Sequence, residues 1–155
     1  MPKIMLLLSF LRRSPRCIEL ALQIAAGRGA ELLVLFVLDQ EILEAVTRKL
    51  TEEGWIGNRP SEQLIAALRQ EYAEQAQTKL REVEEAAQAK GIPVRTFSRQ
   101  GPFVEEALKL VAQENLGLII VTRRKRSRLS RFLFGSAVTD LIKRAPSPVQ
   151  VIDEE

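Results

Sequence analysis

Residues 118–136, LIIVTRRKRSRLSRFLFGS, run from an apolar stretch through a base-rich one to a glycine and a serine at the head of an amphipathic segment. Leu118-Ile119-Ile120-Val121 has the length and uniform apolarity of a strand covered on both faces. Gly135-Ser136 precedes Val138, Leu141 and Ile142 at helical spacing, and the helix so predicted stops before Pro146. Strand, loop, helix is the order in which open α/β sheets cradle phosphate. Backbone N–H groups and the positive end of a helix dipole then face the anion.

The same alternation runs outward through the chain. Ile4 to Leu8 is a second apolar run of strand length. Ser14-Pro15 then supplies an N-cap and a proline at the first helical position, followed by Ile18, Ala21, Leu22 and Ala25, with Gly27 and Gly29 to stop the helix. Leu32 to Leu38 is another buried strand. Residues 39–61 are less regular: a short helical pattern through Ile42, Leu43 and Val46, then the breaker-rich EEGWIGNRPS. Ser61 is placed to cap a long helix from about Glu62 to Lys90, ended by Gly91. Ile92 to Phe97 reads as a strand, and Pro93 near its start suggests a sheet edge. Pro102 opens a helix whose Val104, Ala107, Leu108, Val111 and Ala112 form one stripe. Pro148 to Ile152 is a short last strand. The pattern predicts a five-stranded, doubly wound α/β fold with a parallel sheet, in one domain over residues 1–155.

Composition narrows the chemistry. Histidine is absent, which removes the usual general base near neutral pH and the commonest metal ligand. The one cysteine, Cys17, falls on the apolar face of the first helix; it forms no internal disulfide and fits a reducing cytoplasm. Apolar runs fall well short of the ~20 residues of a membrane span. Serines lack a partner base, the Gly-x-Ser-x-Gly elbow does not occur, and carboxylates such as Glu82, Glu84 and Glu85 sit in helix-spaced, solvated runs. The chain reads as cytoplasmic and not as an enzyme. Its net charge of +3 conceals a local excess: residues 123–131 hold six bases and no acid, leaving 17 basic against 20 acidic residues elsewhere. Arg12, Arg13 and Arg16 follow the first strand on the same sheet edge, so nine of the 23 bases flank one crevice. That is the footprint of a local anion site or docking patch.

The spacing of the base-rich segment resembles the nucleotide loop of the universal stress protein family, which reads Gly, two residues, Gly, nine residues, then Gly-Ser or Gly-Thr. Those positions fall here on Thr122, Lys125, Gly135 and Ser136, and the last two match. The closing Ala-Pro-Ser-Pro-Val-Gln-Val-Ile is similar to the family's ending, and the likeness spans the chain. It implies a Rossmann-like, three-layer sandwich of the adenine nucleotide alpha hydrolase type, with strand order 3-2-1-4-5. Nucleotide-binding relatives place an aspartate at the end of strand one, against the adenosine; the matching residue is Ser9, in Leu8-Ser9-Phe10-Leu11. A backbone contact from strand two maps to Val37. Threonine and lysine disfavour the positive φ and close approach that glycine permits, and a β-branched threonine at positive φ is strained by about 1–2 kcal/mol.

Three functions follow in order. The first is a universal-stress-like regulatory module that is not an ordinary ATP binder and acts as a dimer through an unidentified protein partner. The second keeps a phosphorylated ligand, ATP or AMP foremost, on Gly135, Ser136, Arg124, Lys125, Arg12 and Arg13, arginine forks substituting for lost backbone donors. The third, docking to nucleic acid or an anionic membrane, is weakest, because no aromatics interleave the bases. The short, largely uncharged strand Pro148 to Ile152 lacks the lysine or arginine that discourages edge pairing, and in the resembling family it commonly meets its twin across a two-fold axis. Trp55 and Ile56 could add apolar area to such a contact.

Overall fold

Ile4, Met5, Leu6, Leu7 and Leu8 are all buried, and a strand apolar on both sides is stable only at the centre of a sheet with cover on both faces. The computed structural model describes residues 1–9, 14–39, 43–44, 48, 62–124 and 137–154. The central strand β1 (Lys3–Ser9) is followed by α1 (Pro15–Arg28), β2 (Glu31–Leu38), α2 (Glu62–Ala89), β3 (Val94–Gln100), α3 (Phe103–Glu114) and β4 (Leu118–Arg124). Helical residues 137–144, here α4, lead to β5 (Val149–Glu154). The five strands lie in the order β3-β2-β1-β4-β5, every pair parallel.

Alternation along the strands divides the core in two. Ile4, Leu6 and Leu8 join Val34, Phe36 and Ile120 on the face covered by α1 and the second half of α2. Met5, Leu7 and Val37 join Val121 on the other, against Phe103, Ala107 and Leu110 of α3 and Val138 and Leu141 of α4. Cys17 is fully buried in the first of these cores, as its place on the helix stripe predicts.

Most element ends have a local cause. The Ser14 hydroxyl accepts the Cys17 N–H at 3.3 Å, and Pro15 occupies the first turn of α1. The helix continues through Gly27 and ends at Gly29, whose left-handed φ of 60° suits a residue without Cβ. Gly91, at φ 70°, plays the same part after α2. The strands are displaced from the sequence expectation. β3 begins after Pro93, which has no N–H to give a ladder, and runs on to Gln100. β4 extends three residues beyond Val121 because β5 pairs with it through Thr122↔Ile152, Arg123↔Asp153 and Arg124↔Glu154. Ser61, Trp55 and Ile56 lie outside the described residues.

The start of α3 is capped from a distance. Pro102 offers no side-chain acceptor, and the Asp39 carboxylate accepts the Phe103 N–H at 3.0 Å from 64 residues away. Beside it, the Gly101 N–H donates to the Leu38 carbonyl at 3.1 Å. A Cβ on Gly101 would lie 2.7 Å from Glu106 Oε2, so the close approach of that carboxylate requires glycine. Replacing Asp39 by Ala is expected to cost about 1 kcal/mol, the usual worth of an N-cap. For a chain of this length that lowers the thermal midpoint by about 2–4 °C; unchanged melting would show that α3 does not depend on this cap.

Candidate functional site

β1 pairs with β2 along its whole length, as far as Ser9↔Val37, but with β4 only as far as Leu7↔Val121. Beyond Leu7 the two strands part, and β4 continues beside β5 instead. The chain leaving β1 enters α1 on one face of the sheet, whereas α4, which follows β4 in sequence, packs against the other. Order reversal of this kind opens a crevice at the carboxyl edge, the usual ligand position in open α/β sheets.

Ser9 stands at that opening. It is 3% exposed, and its Oγ is shut from solvent with no hydrogen-bond partner among the described residues. By alternation it shares a face with Leu7 and with its register partner Val37, itself 1% exposed. Thr122 is also fully buried, but strand alternation puts it with Ile120 on the opposite face. The expectation that Thr122 opens a loop is corrected: positions 122–124 are paired strand, and Asn115 is the sole non-glycine at positive φ among the described residues. The backbone of Arg124 belongs to β4, opposite Glu154. Arg12, Arg13, Lys125, Gly135 and Ser136 lie outside the described residues, as does the side chain of Arg124.

The bases that are described divide in use. Arg16 is exposed on the first turn of α1. Arg123 donates through Nε to Asp153 at 2.8 Å, and this bond raises its pKa and joins β4 to β5. Both side chains are about two-fifths exposed, so the pair adds little stability. Its effect is on direction, because it draws one base of the 123–131 run toward the β5 side. At the same edge the carboxylate of Glu106 is nearly buried and pairs with Lys109 at 2.9 Å.

A second charged cluster lies at the amino edge, away from the crevice. Arg95 donates to Glu31 at 2.8 Å and to Glu114, which also takes Lys3 at 3.3 Å. The hydrogen bond from Arg95 holds the Glu114 carboxyl below its ordinary range. Arg95 and Arg99 also lie over the Phe97 ring, at 5.8 and 5.6 Å from its centre. Among the described residues no group of three or more His, Cys, Asp or Glu could hold a metal, and no helix is long and apolar enough to cross a membrane. Sequence reasoning missed Asp39 and Gly101. A cap donated across 64 residues leaves no local signature, although a glycine before Pro102 hinted at a close approach.

The sequence profile of the universal stress protein family matches residues 1–153. The chain belongs to that family. A relative, universal stress protein MJ0577 of Methanocaldococcus jannaschii, is 24% identical over 126 residues, covering 81% of this chain and 78% of that one. The solved structure of universal stress protein UspA from Lactobacillus plantarum shares the fold with a TM-score of 0.71, at 18% identity over 97% of both chains. That of the Archaeoglobus fulgidus universal stress protein in complex with dAMP has a TM-score of 0.57, at 18% identity over 98% of this chain and 97% of its own.

Ser9 supplies a test of the site. Removing a buried hydroxyl that has no partner among the described residues removes a desolvation cost of about 1–3 kcal/mol, offset in part by the packing lost with the oxygen. Ser9→Ala is therefore expected to leave stability unchanged or slightly raised in chemical denaturation. Ser9→Asp, which buries a charge, is expected to lower it. A clear loss of stability in Ser9→Ala would mean that the hydroxyl is bonded after all.

Proposed function

We propose that this universal stress protein is a regulatory module that has given up ordinary ATP binding and acts as a cytoplasmic, non-catalytic homodimer through contacts with a protein partner. The observation that carries this reading is the pairing of β4 with β5 through Thr122, Arg123 and Arg124. In nucleotide-binding relatives the first loop glycine stands at the position of Thr122, where backbone turns toward phosphate. A residue held in a parallel ladder, with its side chain fully buried, cannot make that turn without unpairing from β5. The missing carboxylate at Ser9 points the same way.

A second reading keeps a ligand. The nine bases after β1 and β4 favour it, as does the dAMP bound by the archaeal relative. On this reading an adenine nucleotide or another phosphorylated molecule is held by arginine forks and by Gly135-Ser136, in place of the lost glycine backbone.

Calorimetry decides between them. Wild-type protein is expected to show no Mg-ATP binding tighter than about 100 μM, an affinity of about −5.5 kcal/mol. A sub-micromolar dissociation constant overturns the first reading in favour of the second.

The dimer has its own test. β5 ends the sheet, with Val149 and Val151 half-buried on the α4 face, and an edge without a neighbour invites pairing across a two-fold axis. Lysine at both valines is expected to give a folded monomer by light scattering. A wild type already monomeric at high concentration removes the dimer from the proposal.

A further inference from the structure

The two edges of the sheet are finished differently. β5 keeps Val149, Val151 and Ile152 half-buried, whereas four of the seven residues of β3, Arg95, Ser98, Arg99 and Gln100, are exposed. Among the described residues β3 pairs with β2 alone, so the N–H and C=O groups along its outer side face away from the sheet. Its cover is also one-sided: α2 packs on β2 and β3, whereas α3 packs on β1 and β2. A strand open along its outer edge and thinly covered on one face is a template for a further strand.

That face carries a row of definite chemistry. Alternation places Arg95, Phe97 and Arg99 together on the α3 side of β3, with Phe97 half-buried at the margin of the core. Both guanidiniums lie over the ring, Arg95 at 5.8 Å and Arg99 at 5.6 Å from its centre. Stacking on one aromatic holds two long side chains in place, which lowers the ordering cost of any contact they make. The two ends of the row are used differently. Arg95 takes the carboxylates of Glu31 and Glu114. Arg99 stands about 13 Å further along the strand, where the register sets Val37 beside it and Leu35 takes the place that Glu31 has beside Arg95. The first half of the row shows how this face binds acids, and the second presents the same stacked arginine to solvent.

We propose that the β3 edge docks an acidic, extended segment of a partner protein, which adds as a further strand and sets a carboxylate against Arg99 and an apolar side chain against Phe97. The inference rests on the reading of this chain as a module that acts through a protein partner, and it gives that partner its chemistry. Charge selects the occupant. A second copy pairing antiparallel about Phe97 would set Arg95 of one protomer against Arg99 of the other, and like charges on facing strands repel. An acidic strand answers both arginines, while its backbone pairs with β3 whatever its sequence.

The probe is a fluorescently labelled peptide, Thr-Glu-Thr-Val-Thr-Glu-Thr, titrated by anisotropy at fixed low salt into wild type and Arg99→Glu, with thermal melting of both proteins recorded. Arg99→Glu is expected to melt as wild type does and to bind about tenfold more weakly, an attraction having become a repulsion. The same peptide N-methylated at every residue, which cannot donate strand hydrogen bonds, is expected not to bind. Equal binding by Arg99→Glu, or of the N-methylated peptide, overturns the proposal. So does tighter binding of oligothymidylate, which would make the stacked row a nucleic-acid surface. A mass that rises with concentration in wild type and not in Arg99→Glu gives the edge to a second copy and overturns it too. If wild type binds neither the peptide nor Mg-ATP, this inference falls and the module reading stands; tight Mg-ATP binding overturns the module reading whatever the peptide does. Should Arg99→Glu melt early, Arg99→Gln carries the same test.

Discussion

The structure depends on β1 being hydrogen-bonded on both sides and buried on both faces. A strand with five consecutive large apolar residues has no solvent side, so the sheet must extend from both of its edges and helices must cover both of its faces. Right-handed crossovers then send α1 and α2 to one face and α3 and α4 to the other. The crevice at the carboxyl edge follows from that division, because β1 and β4 are the neighbours whose following helices diverge. A ligand site is thus available to the fold before any residue of it is chosen.

Three residues that the sequence places at that crevice, Ser9, Val37 and Thr122, are all buried strand residues. Where glycine would let the backbone turn early, Thr122 stays in the ladder, and the Arg123–Asp153 pair extends the contact between β4 and β5. Thr122 is fully buried there, and the Ser9 hydroxyl is shut from solvent without a partner among the described residues.

The order of elements was legible in the chain because apolar runs and helical stripes report burial directly, and the strand order of the sheet was what the family resemblance implied. The lengths of β3, β4 and β5 were not. Arg99-Gln100, Arg123-Arg124 and Asp153-Glu154 are polar, and polar residues join a strand only when a neighbour offers a ladder, which is a tertiary fact. At the site, the pattern located Ser9 and Thr122 but put the latter in a loop.

The bonds Gly101 to Leu38 and Phe103 to Asp39 join the end of β2 to the start of α3. Between them the chain makes an excursion through α2 and β3 and returns to its point of departure. Closing a loop costs free energy that grows only with the logarithm of its length, about 0.6 kcal/mol for each doubling. The number of residues between β2 and α2 is therefore nearly free to change. Insertions or deletions there would leave both stitched ends, and the sheet they belong to, in register. In evolutionary terms this tie is a fixed clasp with an adjustable strap.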